Sequence, residues 1–415
     1  MNSAVAVLIG LTVAIILIIK KISPIYSLFL GAVAGGLLGG AGLEGTVSQM
    51  ISGVKDIVPA IARILAAGVL TGALITTRSA DSIAHGIIKA FGRKQIYLAL
   101  ALSAMILTGI GVFIDITVIT IAPIAILLGS RYNLSKMKLL LAMIGGGKCG
   151  NIISPNPNTI ISAQNFDAPL SSVMAAGFFP ALIGLVVTVF VIIPLMPEGP
   201  GMATGEAAED ETGRPGFMAA IAGPLAAILM LTLRPICNVV VDPMIALPVG
   251  GLVCIIASGQ YRRTSECLSV GLQKMSGIAV LLVGTGALAG VIKASCLKDI
   301  MIGAVDGIGG SGFILAPLSS ILMCAASAST TAGATLASAS FAPSIMEMGV
   351  SAILGAAMIN AGATVLDHLP HGSFFHATGG SMSLSVEENL KLIPWESAVG
   401  LVLVLATVAE ALILR

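Results

Sequence analysis

The chain is written in long apolar stretches separated by short polar clusters, and this spacing predicts membrane helices. Ala4–Ile19, Val173–Met196 and Val399–Leu414 are nearly unbroken apolar runs, the last interrupted by Glu410. Each reaches or approaches the roughly 18–20 residues that carry a helix across a bilayer core. Within lipid every backbone polar group must be satisfied internally, which leaves helices or closed barrels. Barrel strands alternate polar and apolar positions, and these runs do not. The first half reads as spans near 3–20, 25–43 and 57–77, a polar amphipathic segment at 78–94, an apolar stretch at 95–130, a helix interrupted near 151–158, and a last span at 171–196. The second half repeats that order at 216–235, 242–259, 276–293, 294–307, 308–347, 350–380 and 394–414. The stretches 95–130 and 308–347 are broken in the middle by Gly, Ser or Thr. Each reads as two full spans or as one re-entrant hairpin.

The halves also match residue by residue. Gly68 and Gly72 correspond to Gly286 and Gly290, Ala122-Pro123 to Ala342-Pro343, and Met143-Ile144 with Gly147 to Met358-Ile359 with Gly362. Pro155 then falls on Pro370 and Phe179-Pro180 on Ile393-Pro394, all at offsets between 214 and 220. Weak internal symmetry of this kind is common in transporters. The expected organisation is a first transmembrane repeat at 1–196, a polar linker at 197–215 rich in Glu, Asp and Gly, and a second repeat at 216–415.

Positive charge orients the spans, because cytoplasmic loops carry the excess of Lys and Arg. Lys20 and Lys21, then Arg78, Lys89, Arg93 and Lys94, then Arg131, Lys136 and Lys138 all ask to be inside. The last two clusters flank 95–130, so that stretch enters and leaves by one face, as a hairpin does. Each half then crosses about five times, an odd number, and the halves are inverted, with both termini outside. Arg262, Arg263 and Lys274 agree with this orientation, whereas Lys293 and Lys298 fall on the outer side.

Composition supports the class. Hydrophobic residues make up 56% and charged residues 10%, with a mean hydropathy of +1.04. Soluble domains carry about 25% charged residues, so a water-facing surface could not be covered. The net charge of +1 gives no reason to expect a nucleic-acid partner. The six cysteines are scattered without a metal-binding or disulfide pattern. The N-terminal apolar run exceeds a signal-peptide core and has no small-residue cleavage site before Lys20. The 49 glycines and few aromatics predict closely packed helices.

Two segments carry the candidate chemistry. Gly145 to Thr159 includes Lys148, Asn151, Ser154, Pro155, Asn156, Pro157, Asn158 and Thr159 inside an apolar stretch. Proline removes a donor and clashes one turn back, and irregular backbone at membrane depth is tolerated where it faces protein or a watery cavity. The positive end of the following half-helix favours an anion. This reads as a substrate site on an unwound helix, or as an ordinary loop outside the membrane. The matching segment, Asn360 to His376, holds Gly362, Thr364, Asp367, His368, His371, Ser373 and three of the four histidines. Histidine titrates nearest neutrality, and ionisable groups in membrane segments are expensive. Asp367, His368 and His371 are therefore proton-coupling candidates, with a structural polar network as the other reading. A metal site is disfavoured, since the histidines lack the spacing of a helical ligand pair. At the hairpins, Ser329, Thr330 and Thr331 form a hydroxyl-rich tip suited to a polar ligand or to helix packing. Asp115 is a lone acid amid apolar neighbours, either paired or protonated, and joins the proton-coupling candidates. Arg63 lies mid-span, as a counter-ion for Asp115 or an anionic substrate, or as a snorkelling residue. No phosphate-binding loop, zinc-protease motif or nucleophile elbow is present, so the chain does not read as an enzyme.

The Gly145–Thr159 and Asp367–His376 segments, with the two-half layout, resemble the gluconate permease (GntP) family of the ion-transporter superfamily over essentially the whole chain. The resemblance implies an all-α polytopic membrane protein with two inverted-topology repeats, each with a re-entrant hairpin and a broken helix, and usually a homodimer in a bacterial inner membrane. It implies proton-coupled symport of a small organic anion such as a gluconate-like hydroxy acid or short monocarboxylate, with no cofactor. The residues carried over are Asn151, Ser154, Asn156, Asn158 and Thr159 in one half and Ser329, Thr330, Thr331, Gly362, Thr364 and Ser373 in the other. The sodium-coupled branch carries Ser-Asn-Thr motifs here. This chain has none, which disfavours a sodium-coupled dicarboxylate carrier. An intramembrane enzyme using Asp367 and His371 is the rival from another class.

Overall fold

The computed structural model describes residues 3–20, 22–89, 95–198, 213–231, 241–295, 312–370 and 372–414. The described residues are helical and carry no strand. In the first half the helices are α1 (Ser3–Ile19), α2 (Pro24–Leu38), α3 (Gly42–Thr76), α4 (Ser79–Lys89), α5 (Ile96–Gly109), α6 (Ile114–Tyr132), α7 (Lys136–Asn151), α8 (Pro157–Asn165), α9 (Leu170–Ala176), α10 (Phe178–Val187) and α11 (Ile193–Leu195), with a π-helical turn at Thr188–Ile192 before the last. In the second half they are α12 (Phe217–Leu231), α13 (Pro243–Ala257), α14 (Thr264–Lys293), α15 (Gly312–Ser327), α16 (Thr330–Glu347), α17 (Ala352–Gly362), α18 (Ser373–Ser381), α19 (Val386–Leu390) and α20 (Ile393–Ile413).

Gly42–Thr76, Leu170–Leu195, Tyr261–Lys293 and Val386–Ile413 are long and apolar enough to cross a bilayer, and shorter apolar helices accompany them. Large apolar side chains point outward along many helices, among them Leu30, Phe178, Phe190, Leu229, Ile256 and Leu405. In water such a surface would be untenable; in lipid it is the expected exterior. The linker core, 199–212, and most of the 294–307 segment lie outside the described residues.

Two helices are longer than the hydropathy pattern predicts. The span expected at 57–77 belongs to a 35-residue helix, and the span at 276–293 to a 30-residue one. Their N-terminal turns carry Glu44, Gln49, Lys55 and Asp56 in α3 and Glu266, Gln273 and Lys274 in α14. These residues lower the local hydropathy but are compatible with helix, so the helix continues where the apolar run stops.

Glycines hold α3 and α14 together. A Cβ added at Gly53 would sit 2.1 Å from the Gly286 carbonyl oxygen, and one at Gly72 would sit 2.1 Å from that of Cys267. Gly290 faces Gln49 and Gly53 in the same way, and Gly271 faces Gly68. Contacts that run up one helix and down the other make the pair antiparallel, with backbones close enough that only glycine fits.

Both long apolar stretches split in two. The 95–130 stretch breaks at Ile110–Phe113, where Gly111 takes φ +108°, and Thr71 Oγ1 donates to the Gly111 carbonyl at 3.1 Å. The 308–347 stretch breaks at Ala328–Ser329, and Ser329 caps α16 by accepting from the Ala332 N–H. The other two interruptions, between α7 and α8 and between α17 and α18, fall where the Pro- and Gly-rich segments predict them.

Candidate functional site

The four interruptions converge. A cavity of about 380 Å³ is lined by Phe113, Asp115, Asn151, Asn158, Thr330 and Asp367, with Ser329, Thr331, Lys274 and Phe374 completing its wall. It therefore touches the breaks in both long apolar stretches and both broken helices. Four helices begin at it: α6 at Ile114, α8 at Pro157, α16 at Thr330 and α18 at Ser373. The first backbone N–H groups of each helix lack intrahelical acceptors, and the macrodipole places about half a positive charge there. Several N-termini around one cavity make an anion site from backbone alone.

Side chains sharpen that chemistry. Asn156 caps α8, its Oδ1 accepting from the Thr159 N–H at 3.0 Å, while its Nδ2 donates to Asn151 Oδ1 at 2.6 Å. This leaves Asn151 Nδ2 buried without a hydrogen-bond partner. A buried donor left unmade costs about 1–3 kcal/mol, so this amide at the cavity edge is poised for an acceptor. The two broken helices are also tied to each other. Asn158 Nδ2 donates to Asn360 Oδ1 at 2.7 Å, and Asn360 Nδ2 donates to Thr159 Oγ1 at 3.0 Å.

Beneath the cavity lies an ionic cluster. Lys148 is completely buried and its ammonium sits 2.7 Å from Asp367 Oδ1. The same nitrogen donates to the Thr364 carbonyl and lies 3.0 Å from His368 Nδ1. Those three contacts use all three ammonium protons. His368 Nε2 faces the Ile393 carbonyl at 3.1 Å and Ser397 Oγ at 3.2 Å. Thr330 Oγ1 donates to Asp367 Oδ2 at 2.9 Å, joining the cluster to the start of α16 in the cavity wall. Glu396 completes it, 3% exposed, with Oε2 3.6 Å from His368 Nδ1.

Of the candidate residues, Asn151, Asn158, Ser329, Thr330, Thr331, Asp115 and Asp367 line the cavity. Asn156 and Thr159 lie buried behind it as capping and bridging groups. Ser154 is fully buried with no hydrogen-bond partner for its hydroxyl. Gly362 is a packing position, since a Cβ there would meet the Pro317 carbonyl at 2.6 Å. Thr364 contributes its backbone carbonyl to Lys148, while its hydroxyl bonds to the Ala361 carbonyl at 2.8 Å. His368 stands behind Asp367, away from the lining. His371 lies outside the described residues, and Ser373 is placed only as the start of α18.

Two expectations change. Arg63 does not serve Asp115: its guanidinium forks onto Asp242, 2.8 Å from Oδ2, and also reaches Gln164. Asp115 instead accepts from its neighbour's N–H, Ile116, in the first turn of α6, where an acid suits the helix dipole. Lys148 is Asp367's partner and has no proton left for a substrate. Glu396 and Asn360 were missed as site residues. The signals were an acid just after Pro394 at the head of an apolar span, and an amide inside the apolar run 352–362.

The pattern of a permease family matches this architecture. The GntP family permease model covers residues 3–414. The chain belongs to the GntP permease family. An uncharacterized transporter of Haemophilus influenzae is 52% identical over 98% of this chain and 97% of its own length. A gluconate permease of Pseudomonas aeruginosa is 24% identical over 97% and 96%. The high-affinity gluconate transporter of Escherichia coli is 21% identical over 89% and 90%. Among solved structures, the Alcanivorax borkumensis YdaH transporter, described as having an unusual topology, aligns with a TM-score of 0.64 at 16% identity over 91% of this chain and 89% of that one. This last likeness concerns the fold alone. The GntP chain is a multi-pass membrane transporter of the organic-anion permease type, and its relatives are transporters rather than enzymes.

Proposed function

We propose that this permease is a secondary active symporter that carries a small hydroxycarboxylate or monocarboxylate, gluconate-like in chemistry, together with protons across a bacterial inner membrane. The observation that carries the reading is the convergence of four helix N-termini, the spare Asn151 amide and the Thr330 hydroxyl on one cavity bounded by all four helix interruptions. Backbone N–H groups and helix dipoles hold a carboxylate, and Ser329, Thr330, Thr331 and Asn158 offer partners for substrate hydroxyls. Lys274, exposed at the cavity wall, attracts anions towards it.

Alternating access follows from inverted halves. Gly53, Gly68 and Gly72 correspond to Gly271, Gly286 and Gly290 at one offset of 218, and the helices that carry them run antiparallel. Equivalent helices in opposite directions support an inverted repeat, with re-entrant hairpins entering from the two faces to meet at the cavity. A homodimer is part of the same proposal.

Protons rather than sodium fit the cluster. The Thr364 carbonyl of the unwound α17–α18 segment and the Asp367 carboxylate already hold a tethered cation, Lys148. In proteoliposomes, gluconate uptake should saturate, accelerate with an inward proton gradient and ignore a sodium gradient. Dependence on sodium would transfer the reading to the sodium-coupled class. Absence of uptake or thermal stabilisation by any small hydroxy acid would remove the substrate class.

A further inference from the structure

We infer that Glu396 is the group that takes up and gives up the coupling proton, holding it jointly with His368. The inference rests on the symport reading and assigns a residue within it. Glu396 lies in the first turn of α20, buried to 3% exposure, and its Oε2 has no hydrogen-bond partner. Among the described residues, the charged groups that act on it can be named. From α7 comes Lys148, and from the unwound segment after α17 come Asp367 and His368. The facing turn of α10, Phe178–Val187, carries no charged residue.

Charge counting then fixes the proton. Lys148 and Asp367 cancel at 2.7 Å. What remains is Glu396 and His368, 3.6 Å apart. A carboxylate beside a neutral imidazole would leave one uncompensated negative charge in a dry site, which is costly. One added proton makes the cluster neutral. It has two positions, the Glu396 carboxyl with a neutral imidazole, or a Glu396 carboxylate with an imidazolium. The hydrogen bonds favour the first: Lys148 donates to His368 Nδ1, and His368 Nε2 is placed to donate to the Ile393 carbonyl at 3.1 Å. The carboxyl proton leaves without any other bond changing.

The same cluster is wired to the cavity. Thr330 lines the cavity and donates to Asp367, which pairs with Lys148, and Lys148 in turn donates to His368 Nδ1. An anion seated at Thr330 adds negative potential next to Asp367, so the cluster holds its proton more tightly. By linkage the protonated cluster holds the anion more tightly by the same factor. The fold does not demand this chemistry. At the repeat offsets of 214 and 215, Glu396 falls on Leu182, His368 on Ile153 and Asp367 on Ile152. Leu182 and Ile153 line an apolar cleft of about 780 Å³. One half has grease where the other has acid and base.

The test uses the full chain in proteoliposomes with radiolabelled gluconate. Glu396→Gln should remove stimulation by an inward proton gradient and flatten the pH profile of uptake. Net uptake should fall about tenfold or more, within the 5–150-fold range of such couplings, with gluconate exchange falling far less. Glu396→Asp should keep a pH profile, shifted along the axis. Full gradient-driven accumulation by Glu396→Gln overturns the inference. If the wild type itself ignores the proton gradient, the symport reading fails first, and the two failures are told apart. Should the Gln variant not fold, dicyclohexylcarbodiimide, which attacks protonated carboxyls in apolar sites, gives the answer on wild-type protein. Mass spectrometry should find Glu396 modified at acid pH and protected at alkaline pH, and no modification at acid pH overturns the assignment.

Discussion

Lys148 and Asp367 make a sharp energetic prediction, because nearly all of their environment is visible. Their side chains are 0% and 2% exposed. Replacing Lys148 by Met removes the cation and leaves Asp367 with the Thr330 hydroxyl and the His368 ring. Breaking a buried pair on one side costs about 3–5 kcal/mol, since the other charge stays uncompensated. Asp367→Asn should cost a similar amount, because the ammonium then keeps only Thr364, His368 and the weaker Glu396 carbonyl contact at 3.4 Å. The double variant restores neutrality and loses mainly hydrogen bonds, at about 1 kcal/mol each. It should therefore be more stable than either single variant, with a coupling energy of at least about 2 kcal/mol. Unfolding of the reconstituted or micellar protein, followed through Trp395 fluorescence against denaturant, supplies the four corners of the cycle. Additivity of the two singles would show that the charges are not paired in the folded protein.

Thr330→Val removes the charge-assisted donor to Asp367 and a hydroxyl from the cavity wall, a loss of about 1.5–3 kcal/mol; the half-saturation concentration for gluconate should rise tenfold or more, and a change below twofold would remove Thr330 from the site. Asn360→Ala strands the Asn158 amide and unlinks the two broken helices, so thermal stability should fall by about 1–3 kcal/mol, while a Gln at 360 should not rescue it because the added methylene displaces both bonds. Asp242, at the entry to α13, is pushed up by partial burial, but hydrogen bonds from Arg63 and the Met244 N–H bring it below the usual carboxylate range. Its lowered folded-state value means that the Arg63 pair contributes fully above the ordinary carboxylate pKa and is lost as pH falls through the lowered one. Both partners are partly exposed, so the contribution is about 1 kcal/mol or less. An acid melting series of wild type against Asp242→Asn should converge at low pH, and a constant gap would refute the pairing.

What the sequence made legible was the backbone, and what it hid was who meets whom. Pro155, Pro157, Gly111 and Pro370 break or bend helices wherever the chain goes, so the four interruptions could be located before any contact was known. Gly68, Gly72, Gly286 and Gly290 stood out for a similar reason: they sit at close helix crossings that exclude every other residue. The length of α3 was not legible, because hydropathy measures where lipid is tolerated and not where a helix ends. Partner choice was not legible either. Lys148 and Asp367 are 219 residues apart and Arg63 and Asp242 179 apart, and no local rule assigns a charge to a partner at that range. Asp115 looked isolated only because its acceptor role is satisfied by the backbone of its own helix. Glu396 was passed over because a lone acid near the head of an apolar span resembles an interfacial residue, and its burial depends on α7 and the α17–α18 segment closing over it. On the proposed repeat, Glu396 takes the place of Leu182, which argues that this position accepts carbon and that the carboxyl serves something other than folding. Replacing it by its apolar counterpart, Glu396→Leu, should therefore leave the thermal stability of the transporter equal to or above wild type while abolishing its response to a proton gradient; a collapse in stability would mean that the acid is structural after all.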